Sequence, residues 1–171
     1  MKQQVNRRGD ASPPPFEELV KMYSDRLFRM VYSRIGDYHD TMDLVQEIFY
    51  RAYRGYGSFR GEASLFTWLY RIAINTTNRY LSRLGKRKEV PLNMDLVHMD
   101  DPQKNLEKDE ERDRLRRMLG RLNDDQRTIL FLRYYEGLDY KEIADILGIP
   151  MGTVRSRLSR ARASLEKLME V

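Results

Sequence analysis

Aromatic, arginine and asparagine side chains are interleaved between residues 56 and 84 of the sequence. Aromatic rings can stack on unpaired bases, arginines bind phosphates, and asparagine offers both a donor and an acceptor to a base edge. The loop-like segment 55–64 could close around a flipped base. Four residues lie away from the apolar stripe of the predicted helix: Trp68, Arg71, Asn75 and Asn78. The pattern predicts contact with single-stranded nucleic acid, although Trp68 would fit an ordinary core equally well.

Arginines and small polar residues also cluster near the carboxyl end of the chain. No acidic residue occurs between Met151 and Ala163, a segment that contains Arg155, Arg157, Arg160 and Arg162. The outward residues of this segment are slim: Gly152, Thr153, Ser156 and Ser159. Such a helix can enter a major groove, where guanidinium groups reach bases or phosphates. The sequence therefore predicts duplex DNA binding here, in preference to an amphipathic helix whose arginines are merely solvated.

The residues around this arginine-rich segment predict a helix-turn-helix. Asp139 followed by Glu142 resembles a capping box, and Gly148 can adopt the left-handed conformation that ends a helix. Pro150 suits the first turn of the next helix. A single buried face is predicted for that helix from the stripe Val154, Leu158, Ala161, Leu165 and Leu168.

An amphipathic helix is predicted over residues 41–54. Its apolar face is formed by Leu44, Val45, Ile48, Phe49 and Ala52, and its opposite face by Asp43, Gln46, Glu47 and Tyr50. An acidic and amide face could dock on a basic partner. Periodicity alone, however, favours an ordinary solvated surface.

Helical periodicity extends from Phe16 to about Leu84 and returns at about Leu115, and no stretch has the alternation of a β-strand. We therefore predict an all-α protein with a disordered tail (1–15), an N-terminal helical bundle (16–85), an acidic linker (86–113) and a C-terminal helix-turn-helix domain (114–171). The net charges of residues 1–85, 86–113 and 114–171 are +4, −3 and +4. Two basic domains around an acidic linker are compatible with two contacts on one polyanion.

The composition excludes several classes of protein. The chain of 171 residues has no cysteine, which rules out disulfides, thiolate metal sites and cysteine catalysis. Its two histidines, His39 and His98, are isolated, and neither an acidic metal-ligand motif nor a glycine-rich phosphate loop occurs. No apolar run is long enough for a transmembrane helix. We expect a cytoplasmic protein that is not an enzyme, needs no metal or cofactor and does not insert into a membrane.

Together these segments resemble a bacterial RNA polymerase sigma factor of the extracytoplasmic-function class. The resemblance covers about residues 16–85 and 105–168. It is carried by the strings DLVQEIF (43–49), SFRG (58–61), FTWLYRIAINT (66–76), LDYKEIA (138–144) and PMGTVRSRLSRAR (150–162). Each string alone is moderately specific, whereas their joint order and spacing are highly specific.

The resemblance implies an alternative sigma factor, which gives core RNA polymerase its promoter choice and promotes DNA melting. It implies that residues 115–135 bind the polymerase flap and that the polymerase clamp is contacted by Asp43, Gln46, Glu47 and Tyr50. The minus-ten element would be contacted by Phe59, Arg60, Trp68, Arg71, Asn75, Asn78 and Arg79, and the minus-thirty-five element by Thr153, Arg155, Ser156, Arg157, Ser159 and Arg160. It also implies a linker that threads polymerase channels, and an anti-sigma factor partner in a stress response.

A stand-alone helix-turn-helix transcription regulator is the alternative. It would need a dimerisation surface or a sensor domain, and residues 16–85 contain neither a βα alternation nor a pocket signature. Binding to a palindromic duplex without polymerase would favour this alternative. The sequence does not decide whether the two domains of the free chain lie apart or pack together.

Overall fold

A computed structural model describes residues 13–84, 114, 115 and 117–170. Its helices include α1 (Phe16–Ile35), α2 (Tyr38–Tyr56), α3 (Leu65–Arg83), α4 (Asp124–Leu130), α5 (Tyr140–Leu147) and α6 (Met151–Met169), and a π-helical turn (Phe131–Tyr135) follows α4. Residues 114, 115 and 117–121 are also helical. No strand occurs in these ranges, which confirms the predicted all-α class. The predicted tail and linker lie outside the described residues, except for residues 13–15.

Local interactions start and end the three N-terminal helices. Asp37 accepts a hydrogen bond from the Asp40 N–H, and Ser64 accepts one from the Thr67 N–H, so side chains cap α2 and α3. Gly36 ends α1 in the left-handed conformation (φ 72°), and α2 then packs back against α1. The buried faces of these two helices include Leu19, Leu27, Met30, Val31, Leu44, Val45, Ile48 and Ala52.

Helix α3 is buried over more of its circumference than the sequence predicts. Its predicted stripe is confirmed, since all six of its residues are buried or half-buried: Leu65, Leu69, Ile72, Ala73, Thr76 and Tyr80. Three further residues, Tyr70, Ile74 and Thr77, are also buried. Helix α3 packs against α5 as well as against α1 and α2, which accounts for the wider buried surface.

The C-terminal helices form the predicted helix-turn-helix. Asp139 and Glu142 make the reciprocal hydrogen bonds of a capping box at the start of α5. Gly148 ends α5 with a φ of 66°, and α6 begins directly after Pro150. The predicted stripe of α6 is buried at Val154, Leu158 and Ala161 and half-buried at Leu165 and Leu168. The predicted cap, turn and stripe are therefore confirmed.

The N-terminal group (α1–α3) and the C-terminal group (α4–α6) pack directly against each other. Helix α3 contacts α5, and α1 contacts α4. Buried residues of both groups belong to one continuous hydrophobic cluster. The arrangement that the sequence left undecided is therefore closed in this structure. Closure brings the helix-turn-helix beside α3, the helix predicted to contact single-stranded DNA.

Replacement of Gly148 by alanine should destabilise the protein. A Cβ at this position would meet nothing within 4 Å, so the penalty comes from the left-handed backbone alone and should be about 1–2 kcal/mol. Gly152 is the matched control, because it lies in the helical backbone of α6 with open space around it. Alanine there should be neutral or stabilising, by up to about 1 kcal/mol. Urea unfolding followed by circular dichroism measures both variants, and equal changes would contradict the backbone argument.

Candidate nucleic-acid interfaces and docking face

One face of α3 carries the residues of this helix that were predicted to contact single-stranded DNA. At 100° per residue, they fall within about 100° of arc. The set comprises Trp68, Arg71, Asn75, Asn78 and Arg79. Four of the five side chains are exposed, and Trp68 is half-buried. The helix therefore brings all five to one surface, named here the α3 face.

The loop between α2 and α3 folds back onto Trp68. The ring centroid of Phe59 lies 5.3 Å from that of Trp68, and the ring centroid of Tyr56 lies 6.1 Å from it. Gly55 permits this approach, because a Cβ there would lie only 3.3 Å from Cζ2 of Trp68. Phe59 and Trp68 are half-buried, while Arg60 is exposed. The loop thus offers aromatic surface beside a positive charge, which suits the stacking of an unpaired base.

Two residues of the α3 face have partners within the protein. Arg71 donates a hydrogen bond from Nε to the main-chain carbonyl of Asp145 in α5. The side-chain oxygen of Asn78 accepts a hydrogen bond from Arg34. Asn75, which lies between them in sequence, is exposed. The closed arrangement therefore occupies Arg71 of the surface that was predicted to contact DNA, whereas the hydrogen bond to Asn78 comes from α1 of the same helical group.

The outward surface of α6 is slim, as the sequence predicts. The exposed members of the predicted set are Arg155, Ser156, Ser159 and Arg160, and the half-buried members are Thr153 and Arg157. Ser156 Oγ donates to the Thr153 carbonyl at 3.1 Å, so one hydroxyl folds back onto its own helix. Arg160 Nε lies 3.4 Å from the Ser156 carbonyl. This surface has the shape expected of a helix that enters a major groove.

The four arginines of α6 differ in their surroundings. Arg157 and Arg160 line a groove of about 220 Å³, whose other lining residues are Asn123, Asp125, Gln126 and Ile129. The guanidinium of Arg162 instead lies 5.7 Å from the ring centroid of Tyr134. A hydrogen bond with Tyr140 raises the pKa of Arg162. Arg162 therefore contacts Tyr134 and Tyr140 of the preceding segments, although it is exposed, as Arg155 and Arg160 also are.

The face of α2 predicted to dock on polymerase is exposed but partly neutralised. Asp43, Gln46 and Tyr50 are exposed, and Glu47 is half-buried. Glu47 pairs with Arg51 one turn along the helix, with 2.6 Å between Oε1 and Nε. Because this pair is solvent-accessible, it contributes little to stability. The acidic character of the face therefore comes mainly from Asp43.

Tyr80 ties α3 to the start of α2. Burial and a hydrogen bond to Asp40 raise the pKa of the Tyr80 phenol to about 12. The contact supports a fixed orientation of the α2 face relative to the α3 face.

The side chains that join the two helical groups were not predicted from the sequence. Glu136 accepts hydrogen bonds from Arg26 at 3.0 Å and from the Tyr70 hydroxyl at 2.7 Å. Burial and the nearby Glu136 raise the pKa of Tyr70. Arg34, only 2% exposed, donates to Asp124 with 2.8 Å between Nε and Oδ1. One sequence pattern pointed to these contacts: Arg34 and Tyr70 place polar groups on the buried sides of their helices, where unpartnered groups are costly.

Within the two described ranges, no helix combines the length and the apolarity needed to cross a bilayer. The same residues contain no group of three or more histidine, aspartate or glutamate side chains that could hold a metal ion.

Replacement of Phe59 by alanine should expose Trp68, the only tryptophan of the chain. Loss of the neighbouring ring opens one side of the indole to water, so its fluorescence emission should shift to longer wavelength. Phe131→Ala is the matched control, since Phe131 stacks on Tyr135 in the C-terminal group and its loss should leave the emission unchanged. An unshifted emission maximum in the Phe59 variant would contradict packing of the loop on α3.

Both halves of the chain match known families. Residues 19–87 match Sigma-70 region 2, and residues 112–165 match Sigma-70, region 4. The chain is 35% identical over 178 residues to the RNA polymerase sigma-H factor of Pseudomonas aeruginosa, covering 96% of this chain and 90% of that relative. It is 37% identical over 180 residues to the ECF RNA polymerase sigma-E factor of Escherichia coli, covering 97% of this chain and 92% of that relative.

Two solved structures resemble the whole arrangement. The sigma factor RpoE in complex with the anti-sigma factor NepR, from Bartonella quintana, aligns with a TM-score of 0.68 and 26% identity over 91% of this chain and 97% of that chain. CnrH in complex with the cytosolic domain of CnrY aligns with a TM-score of 0.65 and 26% identity over 91% of this chain and 87% of that chain. Because the sequence relatives match along almost the whole chain and both sigma-70 regions occur in order, this chain belongs to the extracytoplasmic-function class of RNA polymerase sigma factors, which direct core RNA polymerase to specific promoters for transcription initiation.

Proposed function

We propose that this sigma factor uses a separate surface for each contact that initiation requires. The α3 face and the 55–64 loop hold the unpaired minus-ten element, α6 binds the minus-thirty-five duplex, and α2 docks on the polymerase clamp. The observation that best supports this division is that three different helices carry the three surfaces, each wholly or partly exposed. Residues 16–85 and 114–171 are the two functional domains of this proposal, and residues 86–113 are their linker.

The α3 face suits the capture of bases that have left the duplex. Asn75 is exposed and offers a donor and an acceptor to a base edge. Arg71 and Arg79 lie on the same face at positions suited to phosphate contacts. The rings of Phe59 and Trp68 supply stacking surface, and stacking is worth about 1–3 kcal/mol per base. Because these contacts require unpaired bases, they shift the equilibrium towards melted DNA.

The α6 surface suits recognition of duplex DNA. Ser156 and Ser159 keep its centre slim, so the helix can approach base edges. Arg155 and Arg160 reach outward from its two sides, and a bidentate arginine–guanine contact is worth about 1–3 kcal/mol of discrimination. Arg157 is half-buried beside α4, which favours a contact with a phosphate that positions the helix.

Core polymerase is bound by both helical groups in this proposal. Asp43 on α2 supplies exposed negative charge for a basic surface of the clamp. Residues 115–135 bind the flap. Three large side chains, Leu115, Tyr134 and Tyr135, are 45–62% exposed and give that segment an apolar surface for a partner.

The protein is a transcription initiation factor, and we propose that it catalyses no reaction of its own. Polymerase supplies the chemistry of RNA synthesis, and the sigma factor supplies promoter choice and strand capture. Since its partner is bacterial RNA polymerase, it acts in the cytoplasm.

An anti-sigma factor is the proposed regulator. The relative RpoE is in complex with the anti-sigma factor NepR, and CnrH is in complex with the cytosolic domain of CnrY. Each aligns with 91% of this chain, so both helical groups contribute to the likeness. A partner that binds the closed arrangement in preference to an open one would hold the protein in that state.

Replacement of Asn75 by alanine should impair promoter melting and leave polymerase binding intact, because the side chain lies on α3 and not on the docking face. On a promoter selected from a template library by the wild-type holoenzyme, permanganate reactivity of unpaired thymines should fall about tenfold, as expected for a lost interaction of about 1.4 kcal/mol. Met22→Ala, on the exposed surface of α1 away from the α3 face, is the control and should melt DNA normally. Normal melting by the Asn75 variant would remove this residue from base recognition.

Reversal of Asp43 and Glu47 to lysine should weaken binding to core RNA polymerase, because the lysines would repel a basic docking surface. Gel-filtration co-elution followed by competition titration measures the loss, which should shrink as ionic strength rises. Lysine at Glu17 and Asp25, both exposed on α1, makes the same change in net charge and serves as the control. Wild-type affinity in the α2 double variant would exclude this face from docking.

A further inference from the structure

The two helical groups are joined by a buried carboxylate to which the proposed function assigns no role. Glu136 directly follows the π-helical turn, and its side chain is 3% exposed. It accepts hydrogen bonds from Arg26 of α1 and from Tyr70 of α3, so it contacts two helices of the N-terminal group at once. We propose that this contact of Glu136, Arg26 and Tyr70, the Glu136 bridge, holds the free sigma factor closed and keeps Arg71 of the α3 face bound to the Asp145 carbonyl until the two groups separate.

The local backbone fixes the position of Glu136. Its N–H donates to the carbonyl of Phe131, five residues earlier, at 3.0 Å, which is the hydrogen bond of a π-helical turn. Gly137 then turns the chain with a φ of 69°, and the N–H of Leu138 bonds to the carbonyl of Leu132 at 3.1 Å. The carboxylate is therefore presented to α1 and α3 by a backbone that is pinned on both sides.

A residue of the α3 face also makes a contact across the same interface. Arg34 of α1 pairs with Asp124 of α4, whereas its hydrogen bond to Asn78 lies within the N-terminal group. Arg71 donates to the main-chain carbonyl of Asp145 in α5. The effect of closure on DNA binding rests on the proposed contact of Arg71 with the minus-ten element. The closed state itself rests only on the contacts between the two helical groups.

A closed chain is too small to reach both promoter elements. Their names place them about 25 base pairs apart, which is about 85 Å at about 3.4 Å per base pair. A compact chain of 171 residues has a radius of gyration of about 15 Å and a diameter of roughly 40 Å. The two groups must therefore separate before both elements are bound at once, and the Glu136 bridge opposes that separation.

The charges at the interface keep closure reversible. The contacts bring together Arg26, Arg29, Arg34 and Arg127 with Asp124 and Glu136. Arg34 Nη1 and Arg127 Nε are buried without a hydrogen-bond partner. Burial lowers the pKa of Arg127. Because buried and incompletely paired cations oppose closure, the interface depends strongly on its carboxylates.

Closure affects the three proposed surfaces unequally. The outward residues of α6 and the docking face of α2 are exposed in the closed state. Polymerase docking and duplex binding can therefore precede opening. On the α3 face, Arg71 is held by the Asp145 carbonyl of α5, so its contact with the minus-ten strand has to wait for the Glu136 bridge to break.

Double electron–electron resonance between spin labels on the two groups tests the Glu136 bridge. The chain has no cysteine, so Met22→Cys in α1 and Lys141→Cys in α5, both exposed, accept the labels without background. The otherwise wild-type chain should give one narrow distance distribution. Glu136→Ala should extend it to longer distances and raise the ratio of open to closed molecules about tenfold, because it leaves buried donors unpaired.

Two further variants make this measurement decisive. Glu166→Ala removes an exposed glutamate of α6 and should keep the distribution narrow. Tyr70→Phe removes only a hydroxyl from a buried ring, so it should also extend the distribution to longer distances, but by less than Glu136→Ala does. It also replaces the Glu136 variant if circular dichroism shows that the latter fails to fold. Unchanged distances in both bridge variants would overturn the Glu136 bridge, whatever the outcome for the promoter assignments.

Binding of single-stranded DNA tests whether closure weakens capture of the minus-ten strand. The probe is a fluorescent oligonucleotide that carries the melted strand of the library-selected promoter. Glu136→Ala should bind it about tenfold more tightly than the wild type, because a smaller closed fraction raises apparent affinity. Arg71→Ala in that background should abolish the gain, because Arg71 is the α3-face side chain that opening releases. If Glu136→Ala lengthens the distances between the spin labels without tightening DNA binding, control of DNA binding by closure is refuted. If neither the wild type nor the Glu136→Ala variant binds the oligonucleotide, the minus-ten assignment is contradicted instead.

Discussion

The burial of α3 between two sets of helices is the constraint on which the rest of the structure depends. Its apolar stripe packs on α1 and α2, and a further side packs on α5 of the helix-turn-helix. Tyr70 is completely buried, and its hydroxyl needs an acceptor that its own helical group does not supply. Glu136 supplies it from the other group. The helix that carries Asn75 to the surface is therefore also the helix that joins the two halves of the protein.

Arginine chemistry explains how one surface can serve both closure and DNA binding. A guanidinium group can donate to a carboxylate, a main-chain carbonyl or a phosphate, and it binds the two anionic groups more strongly. Arg71 satisfies one donor on the Asp145 carbonyl, and Arg34 satisfies others on Asp124 and Asn78. The Asp145 carbonyl occupies the position on Arg71 that a DNA phosphate would compete for. Closure and strand capture are therefore alternatives for Arg71.

Much of each candidate site follows from local pattern, because a helix presents residues three and four apart on one face. The α2 face, the α3 face and the slim surface of α6 were all predicted in this way. Their environments were not predictable to the same degree. Glu47 is paired with Arg51, Arg157 is half-buried against α4, and Arg162 lies over Tyr134. The surroundings of Arg157 and Arg162 come from other helices, which no periodicity of α6 specifies, whereas the Glu47–Arg51 pair follows helical spacing and could have been predicted.

The sequence by itself determined the all-α class, the helix start at Asp139 and the turn at Gly148, since these depend on interactions within a few residues. Tertiary structure decided that the two groups are closed on each other. Arg26 and Glu136 are 110 residues apart in the chain, so no local pattern connects them. Their contact exists because the packing of α1 and α3 against the C-terminal helices buries both groups, and burial makes a paired carboxylate necessary.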